Sequence, residues 1–305
     1  MGHERRRPAY RAIRCTLVLV TAFGLQAAGA QVQITRPLRI VAMGAHPDDA
    51  EQKFGGTAAL FAAQGAKVKL MALTNGDVGH FAQAGGPLAQ RRKAEVEACH
   101  KTLGVDTEVL DIHDGELMPD LETRRKVANV IRDYQADIVL SHRPYDYHPD
   151  HRAVGTLAND TAVLVVAPFF SPYTPPTKKN PIYLYYSDAF TKPYPFDPII
   201  AVGFDTVAQK KWDCISAMPS QFGDADSWQA RYRSNVPADE AGRKAFLLDM
   251  VKQRSADVAN QSRSLLVKLY GAEKGNAIKY AESFELNQYG TQATADELKA
   301  LFPLR

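Results

Sequence analysis

From Leu38 to Ser141 the chain alternates short apolar runs with longer amphipathic segments, and this rhythm limits the folds open to it more than any other feature. Leu38–Gly44, Lys67–Thr74, Thr107–Ile112 and Asp137–Ser141 have the length and residue types of buried strands. Between them, Glu51–Gln64, Leu88–Leu103 and Leu121–Tyr134 carry helical spacing, opened by Asp48-Asp49 in the first case and closed by Gly104 in the second. Strands alternating with helices of this length predict an α/β fold, a Rossmann-like, doubly wound, mostly parallel sheet with helices on both faces. Further strands are expected over Ile182–Ser187 and Ile199–Phe204, helices after His151 and over Asp205–Met218, and at least one long helix within Ala238–Leu269. The Pro-rich stretch 168–181 and the Tyr/Pro segment 192–198 read as rim loops.

Ligands of such sheets sit beyond the carboxyl ends of the strands. A dinucleotide would need Gly-x-Gly-x-x-Gly directly after the first strand, whereas Ala45-His46-Pro47-Asp48-Asp49 stands there, so nucleotide binding is disfavoured. A second histidine cluster, His148-Pro149-Asp150-His151, follows the strand that ends at Ser141. Catalytic zinc commonly takes three protein ligands from His and carboxylate and leaves a position for water. His46, Asp49 and His151 supply such a set. Asp48 then remains free to take a proton as general base, and His148 to act as general acid or oxyanion partner, with Asp150 holding its tautomer. Taken singly, Asp48 or Asp49 equally fits a helix N-cap and the second cluster a solvated helix start; the pairing of the two turns on one sheet carries the metal reading.

The length of 305 residues, with 45% hydrophobic and 23% charged, suits one large globular domain. Arginines at 5, 6, 7, 11 and 14, an apolar run from Cys15 to about Leu25 and the small residues Ala28-Gly29-Ala30 have the order of a signal peptide cleaved near Ala30. The expected organisation is a signal peptide over 1–30 and a single domain over 31–305 with a C-terminal helical extension, exported to the periplasm or the medium, with no transmembrane segment in the mature chain. Losing five arginines and Glu4 with the leader turns the net charge from +3 to −1. No basic patch with interleaved aromatics stands out, so no nucleic-acid partner is expected. Cys99 and Cys214 remain as two buried thiols or one bridge; two cysteines make neither a disulfide scaffold nor a thiolate metal site.

The chain resembles the PIG-L or LmbE-like zinc-dependent N-deacetylases, which act on N-acetylglucosamine-type groups. The first motif with Gly55-Gly56-Thr57 and the second, His148–His151, carry the resemblance; Thr74-Asn75-Gly76-Asp77, Arg92 with Glu95, Asp114-Gly115, Ser220-Gln221 and Tyr280–Phe284 are weaker matches. The resemblance implies His46, Asp49 and His151 as ligands of Zn2+, with Fe2+ in its place as the alternative. It also implies Asp48 as general base, His148 as acid or electrostatic partner tuned by Asp150, and Arg92 and Asp114 in sugar contact. The plainer roles for the last two are an Arg92–Glu95 helix pair and a turn at Asp114. Ala50 precedes Glu51 where the commonest form has Glu directly after the aspartates, as in the branch resembling bacillithiol-pathway deacetylases. Asp146 stands where mycothiol-type relatives carry an oxyanion-stabilising tyrosine, and Tyr145 and Tyr147 flank it. An exported location departs from those cytoplasmic enzymes and points to another substrate.

Gly76–Ala89, with His80 and Phe81, reads as a mobile lid or as an ordinary surface loop, and Trp212, Trp228 and the tyrosines of 183–194 as sugar-stacking or packing residues. The expected activity is removal of an N-acetyl group from an amino sugar or glycoconjugate by metal-activated water. The rivals are another amide or ester hydrolysis on the same site, phosphoester hydrolysis, and a non-catalytic sugar- or metal-binding envelope protein. A homo-oligomer stays open.

Overall fold

Hydrophobic alternation within one strand decides the layering. In β1 (Arg39–Gly44), Ile40 and Ala42 enter one apolar core and Val41 and Met43 another, so both faces of the strand need cover. The computed structural model describes residues 36–304; the expected signal peptide lies outside them. The chain continues through α1 (Asp49–Ala63), β2 (Lys67–Ala72), α2 (Gly85–Leu103), β3 (Asp106–Val109), α3 (Leu121–Tyr134), β4 (Ile138–Ser141), α4 (Pro149–Leu164), β5 (Ile182–Tyr186) and β6 (Ile200–Gly203). A 3₁₀ turn, Asp205–Val207, leads into α5 (Ala208–Ser216), α6 (Pro219–Phe222), α7 (Trp228–Arg231), α8 (Glu240–Gln261), α9 (Arg263–Tyr270), α10 (Ala272–Ala277), β7 (Ala281–Gly290) and α11 (Ala295–Leu301). No helix among the described residues is long and apolar enough to cross a membrane.

The sheet runs β3-β2-β1-β4-β5-β7-β6, with β1 to β5 parallel and β7 antiparallel to both its neighbours. Phe54, Phe61, Val96, Leu103, Trp212 and Ile215 from α1, α2 and α5 cover one face, and Val127, Ile131, Val154 and Leu157 from α3 and α4 the other. Burying each such side chain contributes about 1.5–3 kcal/mol. The doubly wound, mostly parallel sheet matches the expected fold class. Strand order reverses around β1, whose neighbours are β2 and β4, and both histidine clusters leave the carboxyl ends at this point.

The C-terminal region is more than a helical extension, because Ala281–Gly290 enters the sheet between β5 and β6. Its charged residues disguised it. Glu282 accepts the Gly56 and Thr57 N–H groups at 3.0 and 2.7 Å and pairs with Lys211 Nζ at 2.7 Å. Lys211 also donates to the Gln52 carbonyl at 2.8 Å and to Ser255 Oγ at 3.4 Å, so α1 is tied in mid-course to the last strand. Gly56 is needed there, since a Cβ would stand 2.4 Å from Phe204 Cγ. Cys99 of α2 and Cys214 of α5 form a disulfide, which settles the choice the sequence left open.

Candidate metal centre

The turn after β1 is built around the Asp49 carboxylate. Asp49 begins α1, and its Oδ2 accepts the Ala45 and His46 N–H groups at 3.0 and 2.8 Å, folding the turn back on the helix start. Gly44 allows this, because a Cβ would stand 2.7 Å from Asp49 Cβ. Thr74, just past β2, clamps the turn from the side through N and Oγ1, each 2.8 Å from the Ala45 carbonyl. In the second cluster His148 is the N-cap of α4, its Nδ1 accepting the Asp150 N–H at 3.2 Å, with Pro149 at the first helical position. This cap directs His151 back toward the β1 turn.

Three imidazoles meet Asp49 Oδ2: His46 through Nδ1 at 3.3 Å, His151 through Nε2 at 3.4 Å and His142 through Nε2 at 3.4 Å. These separations exceed ordinary hydrogen bonds. They match the roughly 3.3–3.4 Å between two ligands that each lie about 2.0–2.1 Å from one tetrahedral ion. The His46 and His151 ring centroids are 5.3 Å apart, near enough to share one ligand sphere. Asp49, His142 and His151 form one potential ligand triad, His46, His148 and His151 a second, and His46, Asp114 and Asp150 a third. The donors suit a divalent ion in chemistry, and the expected set is divided among these triads, Asp49 meeting His151 in the first and His46 meeting His151 in the second.

The far nitrogens of the two expected histidine ligands face carboxylates. His151 Nδ1 lies 3.0 Å from Asp146 Oδ1. His46 Nε2 lies 3.0 Å from Asp114 Oδ1 and 3.3 Å from Asp150 Oδ2, near enough for charge pairing but out of hydrogen-bond alignment. Carboxylates behind imidazoles in this way fix ring orientation and raise ligand basicity. Asp150 was expected to hold His148. Its carboxylate instead accepts Gly115 and Leu117 N–H groups at 2.7 and 3.2 Å and faces His46, and only its backbone touches His148.

Arg92 does not pair with Glu95, whose partners are Arg91 and Ser220. The buried Arg92 guanidinium donates to the Gly76 and Pro47 carbonyls, each at 3.0 Å, and lies 3.5 Å from Asp48 Oδ1 and 3.8 Å from Asp114 Oδ2. It therefore links the two carboxylates expected as base and as sugar contact. Tyr147 sets its ring edge-on to His148 and His151, whereas Tyr145 packs against Tyr194. Trp212 and Tyr183, Tyr185 and Tyr186 are buried in the fold, leaving Trp228 and Tyr194 as the exposed candidates for stacking. The 76–84 segment is pinned: Gln221 Nε2 donates to the Gly79 carbonyl at 3.0 Å, Phe81 N to the Asp226 carbonyl at 2.9 Å, and His80 bridges to Ser227.

Protonation follows burial and neighbouring charge. Burial pushes the Asp48 carboxyl up to about 7, against the pull of Arg92. Asp49 is held well below the usual range: burial works against this, but the fields of His151 and His142 prevail. Burial and the field of His151 push His142 down to about 4, which keeps it in the neutral form that binds metals. His151 rises to about 9 despite burial, through Asp49 and Asp146. His142 is not among the residues expected from sequence, and Asp146, expected only at the place of a relative's tyrosine, is the carboxylate partner of His151. The signal for His142 was its place one residue beyond the β4 end, the location that singled out the other two turns.

Comparison with known proteins agrees with this architecture. Residues 41–162 match the PIG-L family model, GlcNAc-PI de-N-acetylase. Diacetylchitobiose deacetylase of Thermococcus kodakarensis is 33% identical over 139 residues, covering 44% of this chain but only 52% of that relative, about half its length. The 4-oxalmesaconate hydratase of Pseudomonas putida is 28% identical over 191 residues, 58% of this chain and 71% of the hydratase. The solved N,N'-diacetylchitobiose deacetylase of Pyrococcus horikoshii superposes with a TM-score of 0.63 at 23% identity, covering 81% of this chain and 83% of that one, a likeness of fold. The stretch that matches the PIG-L family model runs from within β1 to near the end of α4 and takes in every imidazole of the cluster.

Proposed function

We propose that this protein is a divalent-metal-dependent hydrolase that removes the N-acetyl group from an N-acetylglucosamine-type sugar or its conjugate, with zinc as the ion and iron as its alternative. The observation that carries the reading is the convergence of imidazole nitrogens on Asp49 Oδ2 at 3.3–3.4 Å, with Asp48 beside them. When bound, a divalent ion supplies Lewis acidity toward water and the amide carbonyl. His46, Asp49 and His151 hold it.

Asp48, largely buried and next to Arg92, accepts the proton of the attacking water. Arg92 keeps that carboxylate aimed inward and, with Asp114, meets sugar hydroxyls. Half-buried His148, capped onto α4, stabilises the developing oxyanion and protonates the leaving amine. Asp114, Asp150 and Asp146 orient the ligand imidazoles. Tyr147 is the nearer of the two tyrosines to assist His148. The domain is proposed to span 31–305 and to be exported after cleavage near Ala30; the Cys99–Cys214 bridge accords with an oxidising compartment.

The test is acetate release by metal-reconstituted protein from N-acetylglucosamine, diacetylchitobiose and cell-wall oligosaccharides. Acetate from any of them is expected; none from the whole panel, by protein that holds stoichiometric metal, overturns the reading. The hydratase relative favours a second reading, addition of activated water to an unsaturated acid, which the same preparation tests by loss of ultraviolet absorbance from such an acid.

A further inference from the structure

We propose that Arg233 and Arg254 form an anion subsite beside the candidate centre, so that the sugar deacetylated there carries a carboxylate or a phosphate; this deepens the deacetylase reading above and rests on it. Arg254 reaches the site from α8. Its Nη1 donates to Gln52 Oε1 at 3.0 Å, and Gln52 stands one helical turn beyond Asp48, its N–H bonded to the Asp48 carbonyl at 3.1 Å. Arg233 arrives by a second route. It follows α7, anchored by Nη1 donating to the Gln229 carbonyl at 2.8 Å, and α7 stacks through Trp228 on Phe81 with ring centroids 5.3 Å apart. Two residues before Phe81, Gly79 lies against both expected sugar contacts, where a Cβ would stand 2.6 Å from Arg92 Nη1 and 3.2 Å from Asp114 Oδ2.

Among the described residues neither guanidinium has an ion-pair partner, and each uses one of its five donors in the bonds above. Neighbouring cations differ: Arg91 pairs with Asp224 at 2.6 Å and Arg231 with Asp226 at 3.7 Å. Burial and then the field of Arg254 lower the Arg233 guanidinium from its ordinary value, with Tyr147 opposing. Burial lowers Arg254 too, against the pull of Asp48 and Tyr147. Lys53, which donates to the Ser187 carbonyl at 2.8 Å, adds a third cation: burial and then Arg254 lower its ammonium, against Asp146, Asp188 and Asp49. Cations within one another's field attract an anion, and guanidinium forks match the oxygens of a carboxylate or phosphate. Both arginines lie outside residues 41–162, so the subsite belongs to the C-terminal part of this chain.

Calorimetric titration of the metal-loaded chain at low ionic strength tests this with N-acetylglucosamine, N-acetylmuramic acid and N-acetylglucosamine 6-phosphate. At least one acid should bind about tenfold tighter than the neutral sugar, and the tighter of the two identifies carboxylate or phosphate as the source. In the double variant Arg233→Gln, Arg254→Gln, holding the same metal, that ratio should shrink to about twofold or less. The metal's own attraction for anions persists in the variant and so cancels from the comparison. Equal binding of all three probes by the wild type, or an undiminished ratio in the variant, would overturn the subsite. Acetate released from the neutral sugar alongside equal binding would overturn the subsite and leave the deacetylase reading; arginine-dependent binding of an acid with no acetate from any probe would do the reverse.

Discussion

Two buried charged clusters lie along α1, and they differ in how completely they are satisfied. In mid-helix, Glu282 receives two backbone N–H groups and the Lys211 ammonium, and each Lys211 donor has an acceptor. At the helix start, three imidazole nitrogens stand 3.3–3.4 Å from one carboxylate oxygen, and His142 Nε2 bonds to nothing. A buried ion pair with every bond made holds structure and does no chemistry. A buried cluster with unmet nitrogens and two adjacent aspartates costs stability, which the proposed cation would offset. The closed cluster anchors the helix whose first turn carries the open one.

Exhaustive chelation should separate the two most sharply. Hydrolysis should fall to the uncatalysed background, recover on adding back zinc, and leave the far-ultraviolet dichroism of the fold in place; hydrolysis that survives stoichiometric metal loss breaks the distinction. Next comes Asp48→Asn, expected to lower kcat by about 10²–10⁴-fold with metal content retained. Its urea midpoint should stay equal or rise, since one of two adjacent buried carboxylates becomes neutral. Loss of metal together with activity would move Asp48 from proton acceptor to ligand.

Lys211→Met attacks the closed cluster and should cost about 3–5 kcal/mol in urea unfolding, because Glu282 is left buried without its counter-charge. The surviving folded fraction should bind metal normally. A loss under about 1 kcal/mol would show that the pair contributes little to the fold. Gly56→Ala is the mildest, about 1–3 kcal/mol from a methyl driven against Phe204, read as a lower melting temperature with unchanged kcat per folded chain.

The same contrast explains what could be read before the fold was known. β1, β2, β4, β5 and β6 are legible because each coincides with a local apolar run, β3 because it falls in the strand–helix alternation, and the two histidine turns because they stand at strand ends. β7 was not, since Glu282 and Glu285 look like surface residues until Lys211 and Arg143, 71 and 142 positions away, come to lie beside them. Asp150 was assigned to its sequence neighbour His148, but the cap of α4 turns its carboxylate to His46. His142 is a lone histidine in sequence and acquires meaning only when Asp49 and His151 fold against it. Local signals give elements and motif turns; which charge meets which is decided by pairing across the sheet.

Sharing of one ion by the β1 turn and the α4 start is tested most directly by metal per chain, by elemental analysis after dialysis, in the wild type and in Asp49→Ala. Sharing predicts one divalent ion per wild-type chain and none in Asp49→Ala, whose unfolding remains cooperative. A folded Asp49→Ala that still retains one ion per chain would contradict it.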